Sequence, residues 1–581
     1  MDIAQIDEPQ ASVASGKQTG GEAAIAAGVL AAAVLAACGG GGGDTPANPG
    51  PGPGTGGGGV GTGTGTAPTD AEASRFLAQA SMGASRAQIA RVQALGYAGW
   101  IDEQMALPQS SGRWDYLLAG GYDAATNKNS EAGFDAAAWS KLLASPDTLR
   151  QRMTLALSEI MVAAIDGLIG GGWKAFAAAA YLDLLEANAF GLHRTLMQQI
   201  STSPAMGEFL TFRASQKANP ATGALPDENY AREVMQLFTI GLVQLNLDGT
   251  PTLSNGAPTY TYGQSDITGL ARVFTGWDFD LQGQSGSVGT ATPAFIRRPM
   301  IQYPTRHEPG TKSFMGVTIP ANTDGVASLQ IALDTICAHP NVGPFTSRQL
   351  IQRLVTSNPS PAYVARIATV FNNDGSGVRG NLKAVLRALL LDDEARNPAN
   401  AASVSFGKQR EPMLRLSAWA RAWNVGSASN AWAVGNTSDP ASRLGQSPLR
   451  SPTVFNFFRP GYVPPNSAIA SAALVAPEFQ LTNESSVVGY VNFIQRAVSG
   501  GLGDLKADYT SLLALAGDAV ALVAEVAVVL AANQLSPATL ATVSNAVGSM
   551  PLPPASTTAA QNRVYASVLL VLAAPEFIVL K

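Results

Sequence analysis

Leu149–Ala164 reads LRQRMTLALSEIMVAA, and its spacing decides the fold class. Leu149, Met153, Ala156, Ile160 and Ala164 recur three or four residues apart, which lines one face of an α-helix with apolar side chains. The same period continues upstream. Ala73, Phe76, Leu77 and Ala80 form one face, and Ser85 is placed to cap a helix that buries Ile89 and Val92 and stops at Gly96. Trp100, Ile101, Gln104 and Met105 begin the next helix.

Downstream, helices are predicted over 176–188, 193–202, 228–241, 265–275, 326–339, 346–356, 362–372 and 382–392. Others follow over 411–423, 468–473, 485–499, 509–516 and 559–572. Only 248–263 and 280–314, rich in Thr, Tyr and Gly, predict short hairpins or long irregular loops, segments that often bind ligands on a helical scaffold. The expected class is mainly α: one large multi-helix domain over 69–581, with 503–581 a candidate small C-terminal subdomain.

Composition narrows the function classes. Of 581 residues, 46 % are hydrophobic and only 14 % charged, so a large core is available and the surface is nearly neutral. A net charge of −5 with no basic stripe argues against nucleic acid. Two cysteines, Cys38 and Cys337, exclude a disulfide framework and a Cys-rich zinc or iron–sulfur site. A three-histidine metal site would need all of His193, His307 and His339, from three distant segments.

The first seventy residues read as an address and a tether. AAIAAGVLAAAVLAA, residues 23–37, is too short to span a bilayer but suits the apolar region of an export signal. Leu35-Ala36-Ala37-Cys38 resembles a bacterial lipobox, which implies cleavage after residue 37 and lipid on the Cys38 thiol. The acidic leader (Asp2, Asp7, Glu8 and Glu22 against Lys17) departs from the positively charged start of most export signals. Residues 38–68 are dominated by Gly and Pro and predict a disordered tether with a reach of roughly 30 Å. Gly39 in place of an aspartate favours sorting to the outer membrane over retention at the inner one.

Several segments together resemble a bacterial family catalogued as domain of unknown function 1800. They are SRFLAQASMG and LGYAGWIDEQMALP within 74–108, LRQRMTLALSEI at 149–160 and TSPAM at 202–206. PDENYAREVMQLFTIGL (226–242), DITGLARVFTGW (266–277) and RHEPGTKSFMG (306–316) follow. KQREP (408–412), GQSPLRSP (445–452) and a closing PEF (575–577) complete the series. The resemblance implies one large, mostly helical unit in exported bacterial proteins and supplies no mechanism.

Candidate chemistry centres on 227–233. On a helix, Asp227 caps the start, Glu228 pairs with Arg232, and Asn229 pairs with Glu233. Two readings stay open: a polar cleft wall with Glu228 or Glu233 as general base or metal ligand, or a salt-bridge network. His307 lies in a turn beside Lys312, placed for acid–base work or ligation, or for bonding to backbone. Trp277 either lines a carbohydrate-binding cleft or fills the core. Arg348 and Arg353, with Lys408 and Arg410, offer anion contacts or pair with the acidic residues of 228–233. Asn372–Lys383 resembles the start of a calcium loop, but Lys383 stands where a bidentate glutamate is needed.

The leading expectation is therefore a membrane-anchored helical lipoprotein on the periplasmic or cell-surface side. It would bind an extracellular polymer, an envelope component or a partner protein. The alternatives are a hydrolase using Glu228, Glu233 and His307, with or without a divalent metal, and a purely structural envelope protein. The hydrolase requires Glu228 or Glu233 beside His307; the binding reading expects a groove with exposed aromatics such as Trp277 or Tyr262.

Overall fold

The chain entering the first helix is fixed by a reciprocal cap. Thr69 Oγ1 accepts from the Glu72 N–H at 3.3 Å, and the Glu72 carboxylate accepts from the Thr69 N–H at 2.9 Å. The helix Asp70–Ala80 follows, with Ala73, Phe76, Leu77 and Ala80 fully buried as the spacing predicts. Ser85 caps the next helix, Arg86–Ala106. Gly96, at φ +68°, breaks its backbone where the sequence predicts a stop. The computed structural model describes residues 67–284 and 287–581. The leader, Cys38 and nearly all of the Gly/Pro stretch lie outside the described residues.

The architecture is mainly α, with 24 helices among the described residues. At its centre lies Thr148–Ile160, buried on almost every side rather than along one stripe. Lys174–Ala187 and Phe134–Ala144 pack against it, and Val342–Leu354 crosses it carrying Pro361–Asn372 on its other side. The ends of the described chain are tied together. Ala519–Ala531 packs on both Asp70–Ala80 and Thr557–Ala573. Ser74 donates to the Val529 carbonyl at 3.1 Å, and Arg75 to that of Lys581 at 3.0 Å. Residues 503–581 share one compact unit with the preceding helices.

Strands are sparse, as composition predicts. Each sheet has two short antiparallel strands. Leu253–Ser254 pairs with Ala257–Pro258 around Asn255-Gly256, and Lys312–Phe314 with Val317–Ile319 around Met315-Gly316. Both turn pairs have positive φ at both positions, the primed turn that matches strand twist. The expected helix 228–241 is shorter, Asn229–Gln236. Its end closes at Gly241, φ +72°, where the N–H groups of Ile240 and Gly241 both reach the Met235 carbonyl at 2.9 Å. No helix among the described residues is long and apolar enough to cross a membrane.

Candidate functional site

The segment singled out in the sequence forms a surface patch. Asp227 accepts from the Asn229 N–H at 2.8 Å, a turn bond made one residue before the helix's cap position, which Glu228 occupies. Glu228 accepts from Thr268 Oγ1 at 2.7 Å and Gln264 Nε2 at 2.8 Å, and lies 3.7 Å from Arg232. Asn229 donates to Thr211 at 3.4 Å rather than to Glu233. Glu233 is buried with one oxygen unpartnered, and burial raises its pKa against the pull of Arg232. The neighbouring Tyr262 phenol is pushed up to about 12, by burial first and then by Glu233.

His307 belongs to different surroundings. Its Nδ1 lies 3.0 Å from the Thr275 carbonyl and 3.1 Å from Thr275 Oγ1, while Nε2 is unpartnered. Burial lowers its pKa in spite of the Thr275 bond, and its charged neighbours are Lys312, Glu308 and Asp324. The partners of Glu228 sit on the helix Gln264–Ala271, whereas Thr275 lies seven residues beyond Thr268, about 10 Å of helical rise away. No hydrogen bond or ion pair among the described residues joins His307 to Glu228 or Glu233. The two carboxylates and His307 thus make no direct contact with one another.

The remaining candidates also separate. Lys312 is fully buried, its Nζ 3.5 Å from the Gly310 carbonyl, and burial lowers its pKa. Trp277 is only 4 % exposed, so the expected groove aromatic is a core residue, paired with Gln302 in a two-stranded ribbon. Tyr262 is half-buried with its hydroxyl 3.1 Å from Gln236. Arg348 is exposed and reaches the Gly249 carbonyl at 3.5 Å. The described residues contain no group of three or more His, Cys, Asp or Glu that could hold a metal ion.

Charge is instead concentrated in the interior. Arg353 and Lys408 do not pair with 228–233. Arg353 Nε lies 3.5 Å from Glu159, and Lys408 lies 2.9 Å from Glu478, with all four side chains almost wholly buried. The Arg353 carbonyl accepts from Arg152 and from Lys408, both at 2.6 Å. Glu159 and Glu411 lie close enough to perturb each other. Burial and the Glu411 carboxylate hold the Glu159 pKa well above its usual range. Burial alone would also raise Glu411, but Glu159, Lys408 and Arg152 bring it below its usual range. Glu411 also accepts from Gln446 at 2.7 Å. A second cluster joins Arg113 and Lys141 to Glu186 at 2.6 and 2.8 Å, and Arg113 to Gln151 at 3.0 Å.

Arg353 and Lys408 are singled out in the sequence, but their buried partners Arg152, Glu159, Glu411 and Glu478 are not, although a signal is present. Arg152 and Glu159 stand seven apart, on one face of the most regular apolar helix in the chain. A charge placed there must find an interior partner.

An open cleft of about 570 Å³ lies beside the second cluster. Gln109, Ser110, Ser111 and Asp115 line it opposite Gln199, Thr202, Ser203 and the segment Ile296–Pro299. Its residues come from the turn before the helix Arg113–Ala119, from the junction of His193–Ser201 with Pro204–Phe209, and from the end of a 3₁₀ turn. Asp183 on its floor accepts from the Arg113 and Trp114 N–H groups at 3.0 and 2.9 Å, which fixes the wall. Arg297 is exposed on the rim, 5.6 Å above the Trp114 ring, and Arg298 lies 3.4 Å from Asp280. The arrangement offers hydroxyl and amide groups along a groove, with an exposed cation, Arg297, at its edge.

A family model described as "Protein of unknown function (DUF1800)" matches residues 75–579. No curated protein and no solved structure matches the chain.

Proposed function

We propose that this chain, which belongs to the DUF1800 family, is an exported, lipid-anchored protein that holds a hydroxyl-rich extracellular polymer in the Ser110–Arg297 cleft. The cleft carries this reading. It is open, large enough for a ligand, and lined by neutral hydrogen-bonding side chains together with Asp115, Asp183, Arg297 and Arg298. Hydroxyl groups suit the exposed Gln109, Ser111 and Gln199, which donate and accept without a charge to desolvate. The anchor is supported by the sequence at Cys38, and the Gly/Pro stretch after it would give the domain room to reach a polymer.

The test is co-sedimentation of the full chain with purified peptidoglycan, cellulose and chitin. Retention in at least one pellet, weakened by Arg297→Glu, is the expected outcome; no retention on any of the three contradicts the reading. Release of soluble reducing ends would replace binding with hydrolysis. Incorporation of labelled palmitate by the wild type but not by Cys38→Ala tests the anchor separately.

A further inference from the structure

A second concavity lies on the other side of the interior charges. Thr148–Ile160, the start of the helix Pro412–Ala422 and the loop 447–457 enclose a narrow crevice of about 30 Å³. Four of its lining residues carry polar side-chain atoms with no hydrogen-bond partner: Asn456 Nδ2, Ser451 Oγ, Arg113 Nε and both oxygens of Glu159. These residues are 6, 7, 2 and 4 % exposed. Buried polar atoms are nearly always paired, so a group of unpaired ones around one opening marks a place for a ligand atom. Thr154, Ser158 and Ser447 also line it with their hydroxyls engaged by the protein, and Leu155, Leu182 and Met413 supply its apolar side.

Size and chemistry restrict the occupant. At roughly 10–15 Å³ for each water-sized position, the crevice admits two or three non-hydrogen atoms and no sugar ring. The polar atoms are mostly donors, so the entering group needs an acceptor. The apolar wall asks for a carbon at its other end. Glu159 keeps its proton and Arg113 is already neutralised by Glu186 and Asp183, so neither calls for a charged ligand.

We propose that this crevice takes an acetyl group, its methyl against Leu155, Leu182 and Met413 and its carbonyl oxygen accepting from Asn456 and Ser451. In an acetamido group the N–H would donate to Glu159; in an acetyl ester that contact is missing. The inference rests on the polymer-binding reading only for the choice of a sugar as the carrier of the acetyl group.

Saturation-transfer NMR on the full chain, with N-acetylglucosamine, 6-O-acetylglucose and glucose as probes, tests it. The expected result is that the acetyl methyl protons are the most strongly saturated, and that affinity for the acetylated sugar falls about tenfold in Asn456→Gly while any binding of glucose by the cleft is unchanged. Glycine suits this position because Asn456 has φ +64°. If that variant loses its fold by near-ultraviolet circular dichroism, Ser451→Ala takes its place. A response from the amide alone or from the ester alone supports the site and names the source. Acetyl methyl protons no more saturated than ring protons, no saturation from any probe, or affinity for the acetylated sugars unchanged in the folded variant overturns it. The polymer reading fails separately: pelleting without a methyl signal removes the crevice and keeps the cleft, and a methyl signal without pelleting does the reverse.

Discussion

The patch at Glu228–Arg232 and the cluster at Glu159, Arg353, Lys408, Glu411 and Glu478 use the same residue types for different ends. On the patch, Glu228 and Arg232 are 33 and 41 % exposed and 3.7 Å apart, so water screens them and each can be lost cheaply. In the interior, Lys408 and Glu478 are each 1 % exposed and 2.9 Å apart, with the Arg353 carbonyl bound to the same ammonium. There the desolvation of each charge has already been incurred, and removing one partner strands the other. Paired polar residues in a sequence therefore say little until their burial is known.

The comparison breaks most readily at Lys408. Lys408→Met leaves the Glu478 carboxylate buried without its cation, and urea unfolding should show a loss of about 3–5 kcal/mol. A loss below about 1 kcal/mol would mean the interior pairs are as dispensable as surface ones.

A smaller effect is expected at His193, whose pKa is lowered to about 4 by burial and then by Arg379. Its folded value lies below the ordinary 6.5, so the unfolded chain binds the proton first as pH falls. Its contribution is complete above pH 6.5 and is lost between 6.5 and about 4, by at most about 3 kcal/mol. His193→Gln should flatten the stability profile over that window; an unchanged slope would show that the ring titrates normally.

The smallest effect belongs to the patch. Arg232→Ala should change stability by no more than about 0.5 kcal/mol, and raising the salt concentration should change it little further. A cost near that of Lys408→Met would erase the distinction between the two regions.

Much of the fold was legible because it rests on local rules. The Ser85 cap, the Gly96 break and the stripe at 149–160 are all written in short spacings. Helices without a stripe were not legible. Ala519–Ala531, AVALVAEVAVVLA, is apolar almost all round, and the alanine-rich Phe134–Ala144 gives a similarly blurred face. The sites were harder to read, for a related reason. Glu228–Arg232 was visible because both residues lie on one helix turn, whereas Glu159 meets Glu411 across 252 positions of chain. The cleft likewise joins 109–115 to 199–205 and 296–299, and no local pattern announces that meeting.

The most direct measurement compares three forms of the full chain in one co-sedimentation series on the polymer that retains the wild type. Arg297→Glu should reduce the pelleted fraction severalfold, and Glu228→Gln should leave it at the wild-type level. Loss of pelleting in Glu228→Gln with Arg297→Glu unaffected would contradict the account and return the function to the surface patch.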